Sequence, residues 1–191
     1  MKLSTINLVI LLLVPVSFLQ GQTKNWKVFQ SFDGGFKIEI PDGQMEEQER
    51  VIPTDIGEIT YHTFFYQETV KHFENSLYVV SYCDYPAYSV HSDSTALLDD
   101  FFNNTITSAE KSVIGELRYA EDIRYKDYPG KLFRIDYRAE TATLKSKIFI
   151  VGNRFYNIQI ATTRGKSLNA AADRFLDSFH LLDDPLSVTS N

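Results

Sequence analysis

Residues 75–86, NSLYVVSYCDYP, constrain the fold more than any other stretch of the chain. The run is rich in β-branched and aromatic residues and meets no strand breaker before Pro86. In an extended backbone, Leu77, Val79, Ser81, Cys83 and Tyr85 fall on one side. Tyr78, Val80, Tyr82 and Asp84 fall on the other. Both sides carry large apolar groups and both need cover, which predicts a central strand rather than an edge.

The chain ahead of this strand begins with Lys2 and a nearly continuous apolar stretch over 6–18, then Gln20, Gly21 and Gln22. A basic start, a short apolar core and a small residue at its end predict a secretory signal peptide over residues 1–21. The stretch is shorter than the ~20 apolar residues of a membrane span and contains Pro15, so no stable span is expected. Export to a bacterial periplasm or the extracellular space follows. A single domain is expected over 22–182, with a flexible tail at 183–191. Removing residues 1–21 of the 191 leaves 170, and takes the formal charge from −6 to −7 because Lys2 is the only charge lost. An acidic chain of this kind speaks against nucleic acid as a partner. With one cysteine, Cys83, no internal disulfide can form, so an exported chain must rely on its apolar core. The full chain's 14 Phe, all but Phe18 beyond residue 21, and its 11 Tyr supply one.

Around the central strand the periodicity is mostly that of strands. Residues 26–32 and 36–40 flank Asp33-Gly34-Gly35, a hairpin signal. Residues 45–52 are highly charged and read as a short edge strand or a loop, ended by Pro53; 58–67 alternate as a strand. Residues 92–113 change period. Leu97, Leu98, Phe101, Phe102, Thr105, Ile106, Ala109 and Val113 fall on one half of a helix, capped by Ser92 or Asp93. Burial of Leu98, Phe101 and Phe102 against a sheet is expected. Strand character returns with Leu117, Tyr119, Ile123 and Tyr125; Tyr128-Pro129-Gly130 reads as a turn; strands follow at 131–139, 144–151 and 155–162.

For the last hairpin, a two-residue Gly152-Asn153 turn would pair Ile150 with Phe155, and a three-residue loop would pair Ile150 with Tyr156. The longer loop makes one side wholly apolar and is preferred on that ground. The opposite side then carries Arg134, Asp136, Arg138, Lys145, Lys147, Asn157 and Gln159. A second helix is expected over 167–182, packing Leu168, Ala171, Ala172, Phe175, Leu176 and Phe179.

Catalytic and metal-binding motifs are not apparent. His62, His72, His91 and His180 are scattered, with no two at metal-ligand spacing, so neither a metal nor another cofactor is expected. IATTRGKS over 160–167 resembles the end of a phosphate-binding loop, but Ile160 stands at the first glycine position. It reads as a strand-to-helix connection capped by Ser167, whose helix N-terminus could still attract an anion. Asp99, Asp100, Asn103 and Asn104 read as a solvated helix face, and Cys83 as a small buried residue.

Several stretches resemble the PsbP-like proteins. FDGGFKIEIPDG at 32–43 is similar to their opening hairpin and YVVSYCDYP at 78–86 to their middle strand. YPGKLFRIDY, KIFIVGNRFYNIQI and ADRFLDSFHL are similar to their closing half. The resemblance covers most of the mature chain and includes DcrB-like envelope proteins and many uncharacterised exported bacterial proteins. It implies an α+β fold, an antiparallel sheet with helices packed on its faces as an α/β/α sandwich. Two functions are compatible with it. The first is a noncatalytic accessory protein binding an envelope protein or a small ligand through the polar sheet side, with Arg134, Arg138, Lys145 and Lys147. The second is a hydrolase or other ligand-processing enzyme with a pocket at Tyr82, Asp84, Tyr85 and Tyr88. The absence of a local catalytic constellation favours the first.

Overall fold

The computed structural model describes residues 25–54, 56–68, 75–139 and 141–182. The expected signal peptide, the tail and the loop containing His72 lie outside these residues. The strands are β1 (Trp26–Ser31), β2 (Phe36–Pro41), β3 (Glu46–Thr54), β4 (Gly57–Gln67) and β5 (Asn75–Asp84). Helix α1 (Thr95–Val113) follows, then β6 (Glu116–Tyr125), β7 (Tyr128–Tyr137), β8 (Ala142–Val151) and β9 (Arg154–Thr163). A 3-10 turn at Arg164–Lys166, α2 (Ala170–Asp177) and β10 (His180–Leu181) complete the order.

Seven strands form one antiparallel sheet in the order β3-β4-β5-β9-β8-β7-β6. β5 lies inside it, between β4 and β9, as its two apolar sides require. From β5 the chain crosses under the sheet along α1 to the far edge, and the meander β6 to β9 returns it to pair with β5. The 19 residues of α1 span about 28 Å, enough to pass the four strand spacings of about 19 Å between β5 and β6. β1, β2 and β10 form a second, three-stranded sheet. The fold is α+β and dominated by sheet.

Each face of the large sheet has its own core. On one, Tyr78, Val80, Tyr82, Tyr156, Ile158 and Ile160 pack against α2 and the small sheet through Phe36, Ile38, Phe175 and Phe179. On the other, Cys83, Phe133, Ile135, Ile148, Ile150 and Phe155 pack against Leu98, Phe102 and Ile106 of α1. Those three α1 residues recur every four positions, so they form one stripe. Leu97, expected in the packed arc, is 53% exposed, and Phe101 is half-buried at the margin, edge-on to Tyr85 and Phe155. The N-cap is Ser94, not Ser92 or Asp93.

Four other expectations are corrected. Gly152-Asn153 is a two-residue turn, with Ile150 opposite Phe155 and Ile148 opposite Asn157. Gly152 takes φ +60, and the loop after β5 anchors the turn: Tyr85 N–H donates to Asn153 O (2.9 Å) and Ser92 N–H to Gly152 O (2.7 Å). Making one side wholly apolar was a poor criterion because both sides are covered. Asn157 and Gln159 consequently lie on the α1 side, away from Arg134, Lys145 and Lys147.

Tyr128-Pro129-Gly130 is part of β7, and the turn is at Lys126-Asp127. Gly130 serves the sheet: an added Cβ would lie 2.2 Å from Ile148 O and 2.5 Å from the Phe149 ring. The charged stretch after Met45 is the edge strand rather than the loop, as one of the two readings had it, but it is longer than expected and runs through Pro53, whose missing N–H is tolerated at an edge. The second helix is short. Asn169, not Ser167, caps it by accepting from Ala172 N–H (2.6 Å), and Leu168 is 90% exposed. Ala172, Phe175, Leu176 and Phe179 are buried as expected.

Candidate functional site

A row of polar side chains crosses four strands on the α2 side. Asp136 of β7 faces Thr143 of β8, Thr143 faces Thr162 of β9, and Thr162 faces Asn75 of β5. All four are at most 2% exposed, so each needs internal partners. Asn75 exchanges two side-chain hydrogen bonds with Asn169, whose Oδ1 also caps α2. One end of the row is thus tied to the helix start.

Arginines close the other end. Asp136 Oδ1 accepts from Arg134 Nε (2.9 Å) and Thr143 Oγ1 (2.8 Å). Oδ2 accepts from Arg118 Nε (3.0 Å) and Arg134 Nη2 (3.3 Å). Arg164 Nε stands 3.7 Å from Oδ2. Burial alone would raise the Asp136 pKa. The hydrogen bonds from Arg134, Thr143 and Arg118, with the Arg134 charge, outweigh it and hold the carboxyl below its ordinary range. Arg118 also reaches Glu116 at 3.1 Å. Three guanidinium groups therefore gather around Asp136 at this corner of the sheet, with Glu116 beside Arg118. Arg138 sits nearby in the β7–β8 turn, exposed at φ +52; Arg164 N–H donates to Thr141 O of that turn (3.0 Å).

Of the four cations singled out in the sequence, Arg134 belongs to this cluster and Arg138 lies beside it. Lys145 and Lys147 have a structural partner instead. Lys145 pairs with Asp173 at 2.9 Å and Lys147 with Asp177, clamping α2 to the sheet. Sequence reading missed Arg118 and Arg164, which come from β6 and the 3-10 turn. The available signal was Asp136 on the same strand face as Arg134: a buried acid has to be matched.

Tyr82, Asp84, Tyr85 and Tyr88 do not line one pocket. Tyr82 is buried on the α2 side and Asp84 makes a two-pronged pair with Arg154 (2.6 and 2.7 Å). Tyr85 turns to the opposite side, with its hydroxyl 3.4 Å from that of Tyr61. Tyr88 is 82% exposed and donates to Ile56 O. The alternation that makes β5 a central strand is what separates Tyr82 from Tyr85. Burial pushes the Cys83 thiol up to about 12. It should resist an aromatic disulfide reagent at pH 8 in the folded protein and react promptly in denaturant. Equal rates in both states would contradict its place in the core.

Comparison with solved structures gives a match to cyanobacterial PsbP (CyanoP) from Synechocystis sp. PCC 6803, with a TM-score of 0.56 and 11% identity. It covers 88% of this chain and 99% of that one. The fold is PsbP-like. A protein of unknown function from Pseudomonas aeruginosa, PA94, a putative regulator by its description, aligns over 74% of this chain and 85% of its own. Its TM-score is 0.38 and its identity 16%. No family model matches the sequence, and no curated protein does. Among the described residues, no helix is long and apolar enough to cross a membrane.

Proposed function

We propose that this chain is an exported, noncatalytic member of the PsbP-like group that binds an acidic segment of an envelope protein through its arginine cluster. The observation that carries the reading is the grouping of Arg118, Arg134 and Arg164 around buried Asp136. Asp136 and Thr143 take the Nε and Nη2 donors of Arg134 and hold its plane in a fixed orientation, so a carboxylate arriving from outside would meet the Nη1 edge of a guanidinium that is already ordered. Arg138, exposed in the β7–β8 turn, adds a fourth guanidinium at the same end of the sheet. A small anionic ligand would be recognised by the same chemistry.

The test uses Arg138→Glu with Arg164→Gln, two exposed positions; the neutral side chain at 164 puts no second carboxylate against Asp136 and leaves the Arg134–Asp136 bonds intact. A hexaglutamate peptide and detergent-solubilised envelope proteins serve as probes. The double substitution should weaken peptide binding about tenfold or more, roughly the cost of losing one or two charge-assisted contacts, and should remove the captured acidic protein. The urea midpoint should stay close to that of the parent. Undiminished capture by the doubly substituted protein would sink the reading.

A further inference from the structure

We propose that Glu47, Glu49 and His62 form a site for a divalent transition-metal ion of the zinc class, at the opposite edge of the sheet from the arginine cluster. Glu47 and Glu49 alternate on β3, so both project from one face, and the register sets His62 of β4 directly opposite Glu49. One oxygen from each carboxylate and one imidazole nitrogen lie within 4.8 Å of one another. His62 Nδ1 is 3.1 Å from Glu49 Oε1. Two ligand atoms on one tetrahedral ion with bonds of ~2.0–2.1 Å stand about 3.3 Å apart. This pair is therefore already at the separation that one ion would hold. Glu47 is exposed, and its carboxylate oxygen lies within 4.8 Å of both other donor atoms.

Two features go beyond an ordinary His–Glu contact. First, the imidazole has a rigid seat: its ring stacks on Tyr82 at 4.6 Å and 10°, and Tyr82, buried in the core, also carries the Arg154 guanidinium 4.8 Å from its ring centre. A ligand locked by packing is preorganised. Second, among the described residues no lysine or arginine pairs with Glu47, so the two carboxylates repel each other on one strand face. A bound cation removes that repulsion; the His62–Glu49 contact alone does not. One imidazole with two carboxylates suits a first-row transition ion better than calcium or magnesium, which favour all-oxygen shells of about six or more ligands. Three protein donors leave a fourth position for water or a partner's side chain.

The experiment is calorimetric titration of the purified, chelator-treated protein with Zn2+, repeated with Ca2+ and Mg2+, alongside visible spectroscopy with Co2+. One Zn2+ per chain is expected, with the d–d bands of a four-coordinate cobalt complex. Glu47→Gln with Glu49→Gln should weaken binding about 100-fold or more, as loss of two direct ligands exceeds the 10–100-fold cost of losing outer-shell partners. His62→Ala should do the same. Should the alanine variant fail to fold, the exposed glutamine pair decides. No stoichiometric Zn2+ binding by the parent, unchanged binding by the glutamine variant, or Ca2+ or Mg2+ held as tightly as Zn2+ would each overturn the proposal.

Discussion

Replacing Asp136 with alanine is expected to cost about 3–5 kcal/mol, the usual penalty for removing one partner of a buried charge pair. The carboxylate is 2% exposed and accepts four hydrogen bonds, three of them from arginine. Its removal leaves Arg134 and Arg118 facing each other with Thr143 stranded between strands. The loss should appear in urea titration as a lower midpoint with unchanged slope. Asp136→Asn, which keeps the shape, provides the pH test. The folded pKa lies below the ordinary value, so the contribution is fully present above the unfolded pKa of ~3.9 and is lost as pH falls through the folded value. The gap between parent and asparagine variant should therefore be constant above about pH 5 and shrink below about pH 4. A gap that persists undiminished into strong acid would show that the charge of Asp136 is not what stabilises the row.

Phe102→Ala is expected to cost about 3–5 kcal/mol, as for a fully enclosed aromatic. Phe102 is 2% exposed, between Leu98 and Ile106 on the α1 stripe, and it meets Phe101 edge-on at 5.6 Å. Leu97→Ala, one position before Leu98 but 53% exposed, should change stability by about 0.5 kcal/mol or less. Phe101→Ala should fall between the two, because that ring is half-buried. Denaturant titration of the three variants orders the helix face directly. Equal losses for Leu97 and Phe102 would mean that α1 is rotated about its axis.

The parts of the fold legible in the sequence are those where a period meets a single requirement. β5 shows two apolar sides and is central; α1 shows one stripe and lies on the sheet. The β8–β9 register was not legible because Ile148 and Ile150 face one core and Ile158 and Ile160 the other. When both sides are buried, hydrophobicity stops discriminating between registers that differ by one residue. What fixes the turn is the docking of Tyr85 and Ser92 on it, a contact between distant segments. Gly130 was misread for a related reason: a glycine demanded by a cross-strand ring looks in sequence like one demanded by a turn.

The same limit applied to the sites. Arg134 could be picked out because a polar residue on a strand is conspicuous. Its partners could not, because Arg118 and Arg164 arrive from β6 and from the turn after β9. Lys145 and Lys147 looked equally available until α2 supplied Asp173 and Asp177. Glu47, Glu49 and His62 were read as edge-strand charge and a scattered histidine. Only the β3–β4 register brings them together.

The most direct measurement of the recognition surface is an NMR titration of arginine Nε–Hε resonances with hexaglutamate. These groups report on the guanidinium planes themselves. Saturable shifts at Arg118, Arg134 and Arg164, weakening as salt is raised, with Arg154 and Arg174 unmoved, are the expected result. Shifts spread evenly over all arginines, or none at these three, would contradict the account.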